Sequence, residues 1–238
     1  MTNLTSTQTE FIESVLNLNP RVATFDCDGT LWSGDAGEGF FSWELQQKFV
    51  SDEVANWARA RYADYKAGRV AEEVMCGEMA TMHRGMREEV VQQACDAFFE
   101  RSIAPTIFDD MRILVDRLLQ SGCDIWVVSS SSHWVIRSGM RSFGIPRNRI
   151  LAAEAAVENG IILDRLIRVP SGPGKTEAIR SVLESPPDCA FGNAIWDREM
   201  LEMSKRAFVI NPFPNLKEVA LEKNWTIYQP QLPARPPF

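Results

Sequence analysis

The sequence predicts an α/β fold with a mainly parallel sheet and an inserted helical domain. Short apolar segments alternate with helical segments along most of the chain, whereas the stretch 35–105 shows helical spacing and no convincing strand. Strands that alternate with helices form right-handed βαβ units and a parallel sheet. An all-helical stretch placed directly after the first strand therefore indicates a second, smaller domain.

The first half of the chain contains one predicted strand and five predicted helices. The strand, Val22–Asp26, is a short apolar run that ends in an acidic turn. Apolar residues at helical spacing predict four helices in the inserted stretch. They cover residues 39–49, 52–66, 69–82 and 87–101. The amphipathic spacing of 110–120 predicts the fifth helix, which ends at Ser121-Gly122.

The second half returns to alternating strands and helices. An Asn-Gly turn at 159–160 predicts a hairpin of residues 150–157 and 161–163. The four prolines of 229–238 predict an irregular tail. The other predicted strands are 125–128, 190–191, 208–210 and 225–228, and the helices are 132–143, 175–183 and 216–223, with another beginning at Arg198.

Composition excludes several classes of protein. The net charge is −7, with 25 basic and 32 acidic residues and no basic run, which argues against a nucleic-acid partner. The opening residues are polar, so we expect no secretory signal, and no apolar run has membrane-spanning length. The five cysteines are scattered and lack CxxC pairing, which favours reduced thiols. We expect a cytoplasmic protein with no membrane partner; the oligomeric state stays open.

Two aspartates, Asp26 and Asp28, follow the first strand and precede a Gly-Thr turn. Side chains alternate along a strand, so both carboxylates share one face if the chain stays extended. Such a pair can hold a divalent cation, supply a nucleophile and transfer a proton. Solvated loops and calcium sites also contain this pattern, so the pair alone leaves catalysis open.

Polar residues also follow the later strands, where open α/β sheets bind ligands. Ser129–Ser132 either bind an anion or cap the next helix. Lys175 follows a Gly-Pro-Gly run and either neutralises a phosphate or lies in solvent. Asn193 and Asp197 offer oxygen ligands to a hard cation, although Asp197 suits a helix cap equally well. The ordered set at successive strand ends favours one shared site.

This ordered set resembles the motifs of a haloacid-dehalogenase (HAD) superfamily phosphatase, of the phosphoserine-phosphatase-like branch. The matching residues are Asp26-Cys27-Asp28-Gly29-Thr30, Ser129 after Trp126-Val127-Val128, Gly174-Lys175, and Gly192-Asn193 with Asp197. The resemblance implies a three-layer Rossmann-like core made of 1–34 and 106–238, with 35–105 as a helical cap. It also implies a small phosphorylated metabolite as substrate and Mg²⁺ as cofactor.

The resemblance assigns a role to each motif. Asp26 attacks phosphorus and forms an aspartyl phosphate, and Asp28 protonates the leaving alcohol and then helps to deprotonate water. The phosphoryl oxygens are held by Thr30, Ser129, Ser130 and Lys175. The Mg²⁺ ligands are Asp26, Asp28 through its main-chain carbonyl, Asn193 and Asp197. Asn193 departs from the pattern, since many such phosphatases have aspartate there, so one negative charge is lost.

The substrate is predicted less sharply. Asp28 favours a phosphate monoester over a halide, and Asp35 occupies the position where phosphoserine-specific members have a glutamate that reads an amino group. Asp35 and nearby Glu38 either face a cationic substrate or are exposed carboxylates on a linker to the cap. We therefore expect an amine-bearing ester such as phosphoserine, phosphoethanolamine or phosphocholine. Tryptophans near the motifs could contact an ammonium or belong to the core, and arginines of the helical stretch could pair with a substrate carboxylate. These residues are Trp32, Trp134, Trp196, Arg61, Arg69, Arg84 and Arg87.

Two rival functions remain at this point. A phosphomutase or phosphotransferase of the same superfamily would use Asp26 and Asp28 but return the phosphoryl group to an acceptor. A non-catalytic protein that binds a phosphorylated ligand would need neither aspartate for chemistry, and Asn193 is its only sequence argument.

Overall fold

A computed structural model describes residues 4–232 of the chain, and these residues form ten α-helices and seven strands. The helices are α1 (Ser6–Leu16), α2 (Ala36–Gln46), α3 (Asp52–Lys66), α4 (Glu72–Thr81), α5 (Glu88–Ser102), α6 (Asp109–Gln120), α7 (His133–Arg141), α8 (Pro173–Arg180), α9 (Arg198–Met203) and α10 (Pro214–Glu222). The strands are β1 (Val22–Phe25), β2 (Asp124–Ser132), β3 (Ile150–Glu158), β4 (Ile161–Arg168), β5 (Cys189–Gly192), β6 (Arg206–Ile210) and β7 (Thr226–Tyr228).

The strands form one sheet in the order β4-β3-β2-β1-β5-β6-β7. Every neighbouring pair is parallel except β3 and β4, which form an antiparallel hairpin around a turn with both Asn159 and Gly160 at positive φ. The predicted mainly parallel sheet and the predicted hairpin are therefore confirmed. The strand order reverses at β1, which places the end of β1 in the crevice where such sheets bind ligands.

Helices cover both faces of the sheet, which makes the predicted three layers. Alternate strand residues point to opposite faces: Phe25 and Val127 pack with α1, α6 and α7, whereas Val128 and Ala190 pack with α8, α9 and α10. Burial of apolar side chains on both faces explains why these strands read as continuous apolar runs rather than alternating ones.

Helices α2 to α5 follow β1 and form the predicted helical stretch, with no strand among residues 36–102. The apolar side chains of this stretch fall into two clusters, and only one of them belongs to the main core. Phe40, Phe98 and Phe99 belong to the main core, whereas Phe41, Ala58, Met75 and neighbouring residues form a separate apolar cluster. Helices α3 and α4 therefore contribute more to their own cluster than to the core.

Three details differ from the sequence analysis. Helix α1 was not predicted, although Thr5 and Gln8 form a capping box and Phe11, Ile12 and Val15 bury one face. Strand β2 continues to Ser132, so the serine run is the irregular end of a strand and not the start of a helix. Strand β4 is longer than predicted because its outer half pairs with β3 despite exposed side chains.

The described part of the tail, residues 229–232, is irregular as expected, and residues 233–238 lie outside the described part of the chain. None of the helices between residues 4 and 232 has the length and apolar character needed to cross a membrane.

Candidate active site

Asp26 lies directly after β1 and is almost completely buried. Its main-chain N–H donates to the carbonyl of Phe191 at 2.9 Å, which continues the sheet by one residue. One carboxylate oxygen accepts from Lys175 Nζ at 2.7 Å, and the other accepts from the Thr30 hydroxyl at 3.0 Å. The carboxylate is thus held in one orientation before any ligand arrives.

Lys175 is a fully buried ammonium that joins three strand ends. It donates to Asp26 at 2.7 Å, to Asp197 at 2.5 Å and to the carbonyl of Val128 at 2.9 Å, which uses all three of its N–H groups. Its position depends on close packing of the preceding loop, because a Cβ at Gly174 would lie 2.7 Å from the carbonyl oxygen of Val169.

The buried charges of Asp26, Lys175 and Asp197 shift the pKa values of Asp26 and Lys175. Burial, and then the nearby charge of Asp197, raises the pKa of Asp26 to about 7, although Lys175 opposes the shift. Burial alone would lower the pKa of Lys175, but the two carboxylates outweigh it and raise that pKa above its ordinary value. Lys175 therefore stays charged, whereas Asp26 ionises near neutral pH.

Asp28 receives three hydrogen bonds from groups that differ from the partners of Asp26. The indole of Trp32 donates to Oδ1 at 2.8 Å and the main-chain N–H of Ala36 donates to the same oxygen at 2.5 Å. The hydroxyl of Ser131 donates to Oδ2 at 2.6 Å. Burial, and then the charge of Asp35, raises the pKa of Asp28 to about 8. Asp28 is therefore mostly protonated at neutral pH and can act as an acid.

Asn193 and Asp197 lie in the tight turn after β5. Asp197 is buried, and its Oδ2 accepts from the N–H groups of Asn193 and Ala194 at 2.8 and 2.9 Å, while Oδ1 accepts from Lys175. The side chain of Asn193 packs against Gly29, where an added Cβ would lie 1.9 Å from Nδ2. Gly29 also has φ +74°, so this turn requires glycine.

The donor groups of this site fit a hard divalent cation, because all of them are oxygens. Among the residues that the structure describes, no three His, Cys, Asp or Glu side chains are grouped for metal binding. A cation beside Asp26 would therefore need neutral ligands as well, such as the Asn193 amide or the carbonyl of Asp28. Both oxygens of Asp197 already accept from protein donors, which suits Asp197 to orient Lys175.

A cavity of about 760 Å³ lies between the strand ends and the helical stretch. What we call the core wall consists of Asp26, Asp28, Ser130, Ser131, Lys175, Asn193 and Asp197. What we call the helical wall consists of Phe40, Phe41, Glu44, Tyr62, Tyr65, Glu72, Met75, Cys76, Met79 and His83. Asp35 and Glu38 lie where the two walls meet, at the start of α2.

The structure brings most of the predicted site residues together. Thr30 and Ser129 lie behind the cavity surface: Thr30 donates to Asp26, and the Ser129 hydroxyl accepts from the N–H of Ser131 at 3.1 Å. Asp35 caps α2, since its carboxylate accepts from the N–H of Glu38 at 2.7 Å. Trp32 and Trp134 are buried, and Trp196 lies at the cavity with 46% of its surface exposed.

The sequence analysis missed Ser131 and the helical wall. Ser131 belongs to a run of four serines, and only the irregular end of β2 selects the one that reaches Asp28. A Cβ at Gly37 would lie 2.4 Å from the Ser131 hydroxyl, so this glycine permits the contact. Tyr62, Tyr65 and Glu72 belong to predicted helices, but the face they present follows from tertiary packing.

Cys27 separates the two aspartates and is completely buried. Burial, together with the negative charges of Asp26 and Asp28, raises the pKa of its thiol well above the ordinary value. The thiol therefore stays neutral, and Cys27 is one of five free cysteines.

Comparison with known proteins places the chain in a family. Phosphoserine phosphatase SerB1 of Mycobacterium tuberculosis is 26% identical over 86% of this chain and 69% of its own length. A solved structure of a protein of unknown function from Bordetella pertussis Tohama I superposes with a TM-score of 0.77 at 20% identity, and the match covers 88% of this chain and 98% of that chain. A phospho-aspartyl intermediate analogue of phosphoserine phosphatase gives a TM-score of 0.59 at 16% identity, covering 90% and 94% of the two chains.

These structures share the fold of this chain. The sequence model of the haloacid dehalogenase-like hydrolases matches residues 23–202, a range that contains both aspartates, Lys175 and the turn of Asn193 and Asp197. The predicted superfamily is confirmed: the chain belongs to the haloacid dehalogenase-like hydrolase family.

Proposed function

We propose that this protein is a Mg²⁺-dependent phosphatase that hydrolyses a small phosphate monoester through an aspartyl phosphate on Asp26. The observation that carries the proposal is the buried ammonium of Lys175, held between Asp26 and Asp197 at the base of a cavity that Asp28 also lines. A relative named as a phosphoserine phosphatase and the membership of a hydrolase family support it.

Asp26 is the nucleophile. Its ionised carboxylate attacks phosphorus, an acyl phosphate bond forms, and the bond from phosphorus to the ester oxygen breaks. Lys175 and Thr30 fix the orientation of the carboxylate, which is the kind of positioning that phosphoryl transfer requires. Ser130 lines the cavity and is the expected partner of the phosphoryl oxygens, whereas Ser129 lies behind it and accepts from the N–H of Ser131. Lys175 supplies positive charge beside them, since its three N–H groups are already used.

Asp28 is the general acid and then the general base. In its protonated form it donates a proton to the departing ester oxygen, so the product leaves as a neutral alcohol. The carboxylate that remains then accepts a proton from water, which attacks phosphorus and releases Asp26 and inorganic phosphate. The hydrogen bonds from Trp32, Ala36 and Ser131 hold Asp28 in place through both steps.

Mg²⁺ would be held by Asp26, the carbonyl of Asp28 and Asn193, with Asp197 beside them. The bound cation would supply positive charge that offsets the repulsion between a phosphate dianion and these carboxylates. The all-oxygen donor set supports this assignment.

We further propose that residues 35–105 act as a cap over a core formed by 1–34 and 106–238. The cavity lies between them, and a cap that closes on substrate would exclude water from the acyl phosphate. We expect the protein to act in the cytoplasm, since its five cysteines are free thiols. An amine-bearing ester, such as phosphoserine, phosphoethanolamine or phosphocholine, suits the acidic residues of the cavity.

Phosphate release from a panel of monoesters, with and without Mg²⁺, tests the function. We expect turnover only with Mg²⁺, and a loss on the order of 10⁴-fold or more in Asp26→Asn because the nucleophile is removed. Asp164→Asn, at an exposed position, is the matched control and should retain full activity.

Three results would contradict the proposal. Release that requires a bisphosphate activator would indicate a phosphomutase, and transfer to an added alcohol in place of water would indicate a phosphotransferase. Ligand binding without turnover of any ester would indicate a non-catalytic binding protein.

A further inference from the structure

Glu72, the first residue of α4, places a carboxylate on the helical wall without a counter-ion. The residue is 9% exposed, and its Oε1 accepts from the hydroxyl of Ser171 at 2.9 Å. It forms no ion pair with any residue between 4 and 232. A buried carboxylate without a cation costs free energy, even at a helix N-terminus where the helix dipole offsets part of it.

The other glutamates near this cavity have partners. Glu44 lies 2.6 Å from His83 with both side chains buried, and Glu38 lies 3.2 Å from Lys66. Burial raises the pKa of Glu72, and the hydrogen bond from Ser171 and the charge of nearby Lys175 only partly oppose the shift. Glu72 is therefore the helical-wall acid suited to receive a cation from a ligand.

Aromatic rings lie on the same wall. Burial raises the pKa of Tyr65, and the charge of the nearby Glu72 carboxylate is the next cause. The rings of Tyr62 and Tyr65 are neighbours, with centroids 5.8 Å apart. The two rings already contact one ammonium, that of Lys66, at 5.0 Å and 5.8 Å from their centroids. Electron-rich faces beside a carboxylate are the usual surroundings of a bound ammonium.

The helical wall also holds polar atoms without partners. The hydroxyl of Tyr62 and Nδ1 of His83 are buried and make no hydrogen bond of normal geometry with the described residues, and His83 is 1% exposed. Burial, and then the nearby carboxylate of Glu38, raises the pKa of Tyr62, so Glu38 is the protein group closest to pairing with that hydroxyl. Buried polar groups are normally paired, so two such atoms beside a cavity indicate a polar ligand.

The described cations nearest the cavity already have partners in the protein. Lys175 is the one Lys or Arg among the described cavity residues, and its three N–H groups are used. Arg61 and Arg69 pair with Glu78 and Asp64. Lys66 is not itself a lining residue, but it pairs with Glu38 of the lining at 3.2 Å. Arg84 and Arg87 are exposed and also lie outside the lining. A carboxylate in this cavity would meet several acids, and it would gain a cation only by breaking the Lys66–Glu38 ion pair.

We propose that the substrate is the phosphate monoester of a small amino alcohol, with an ammonium group and no carboxylate, and that Glu72 receives the ammonium beside Tyr65. The inference rests on the proposed phosphatase function and narrows its substrate range. Phosphoethanolamine and phosphocholine fit it, whereas phosphoserine, which has a carboxylate, does not.

Three matched esters test the inference with Mg²⁺ present. Phosphoethanolamine carries the ammonium, 2-hydroxyethyl phosphate replaces it with a neutral hydroxyl of similar size, and phosphoserine adds a carboxylate. We expect kcat/KM for phosphoethanolamine to exceed that for each of the other two by about tenfold or more. p-Nitrophenyl phosphate serves as the reference ester that needs no recognition by the helical wall.

Glu72→Gln tests the residue. Glutamine keeps the size and the acceptor for Ser171 but removes the charge, so we expect the preference for phosphoethanolamine over 2-hydroxyethyl phosphate to fall to near one. Glu73→Gln is the matched control, since Glu73 is the exposed neighbour on the same helix and should keep the wild-type preference. Equal losses for all esters in Glu72→Gln would show that Glu72 only anchors Ser171, and would overturn the inference.

The outcomes separate this inference from the function on which it rests. Turnover of p-nitrophenyl phosphate with no preference for phosphoethanolamine, or with a preference for phosphoserine, overturns the inference and leaves the phosphatase intact. Phosphoserine turnover that Lys66→Met abolishes would show that Lys66 receives a carboxylate, with the same consequence. No turnover of any ester, reference included, overturns the proposed function and the inference with it.

Discussion

The two walls of the cavity differ in how their polar groups are satisfied. On the core wall, Lys175 donates hydrogen bonds to both Asp26 and Asp197. Asp28 accepts three hydrogen bonds from the protein. On the helical wall, the Tyr62 hydroxyl and one nitrogen of His83 make no normal hydrogen bond, and Glu72 forms no ion pair, with any residue of 4–232. On the proposed function, the catalytic groups are thus arranged before substrate binds, whereas the polar groups of the helical wall would gain their partners from the ligand.

The largest expected effect comes from removing the cation of the core wall. Lys175→Met leaves Asp26 and Asp197 facing each other in a buried site, so we expect the free energy of unfolding to fall by about 3 kcal/mol at pH 8. Urea denaturation measures the change. We also expect phosphate release to fall on the order of 10³-fold, because the nucleophile loses its orientation.

A surface pair provides the matched control for Lys175. Lys205→Met removes a lysine that is 59% exposed and lies 2.7 Å from Asp188. Exposed ion pairs contribute little, so we expect a loss of at most about 1 kcal/mol. Equal losses in the two variants would show that the core wall is not held together by its buried charge.

The pH dependence of stability is the next test of the core wall. The pKa of Asp28 is raised from 3.8 to about 8, so between these values the folded protein binds more protons than the unfolded chain. Stability from this group is therefore present below about pH 4 and is lost as the pH rises towards about 8. We expect urea midpoints of the metal-free protein to decline more steeply across this range in the wild type than in Asp28→Asn. Parallel slopes would refute the assignment.

Asn193→Asp tests how the core wall holds its cation. The substitution adds a negative charge in a buried turn beside the Asp26 site, so we expect the Mg²⁺ concentration for half-maximal activity to fall several-fold. Asn148→Asp adds the same charge at an exposed, distant position and should leave that concentration unchanged. Titration of activity against Mg²⁺ distinguishes the two, and an unchanged midpoint in Asn193→Asp would exclude this residue as a ligand.

The smallest expected effect concerns the helical wall. Tyr62→Phe removes a buried hydroxyl that makes no normal hydrogen bond within residues 4–232, so we expect the free energy of unfolding to stay constant or rise by up to about 1 kcal/mol. If that hydroxyl waits for a ligand, KM for the preferred ester should rise while kcat changes little. A clear loss of stability would show that the hydroxyl already has a partner in the folded protein.

The same two walls show what the sequence can predict. Asp26, Asp28, Lys175 and Asp197 follow strands in a fixed order, and parallel strands bring their carboxyl ends to one edge, so the core wall follows from local patterns. The helical wall depends on which faces of α3 and α4 turn inward. Both helices are predicted, α3 with its observed bounds, yet the orientation of Tyr65 and Glu72 follows from packing between helices.

Helix α1 and the end of β2 show two further limits. The capping box of α1 is visible in the sequence. The helix has few apolar residues, however, and only the three-dimensional structure shows that they pack in the main core. In the serine run, local pattern cannot choose Ser131 over its neighbours, because the irregular pairing of β2 with β3 decides which hydroxyl meets Asp28.

The buried thiol between the two aspartates has a consequence for chemoselectivity. A thiolate at Cys27 would compete with Asp26 for phosphorus and would react with oxidants, but burial and the adjacent carboxylates keep it protonated. The other four cysteines also have raised pKa values, with burial as the first cause. Cys27 should therefore resist alkylating agents and peroxide in the folded protein, and on the proposed function the phosphoryl group should pass to the oxygen of Asp26 and not to this sulfur.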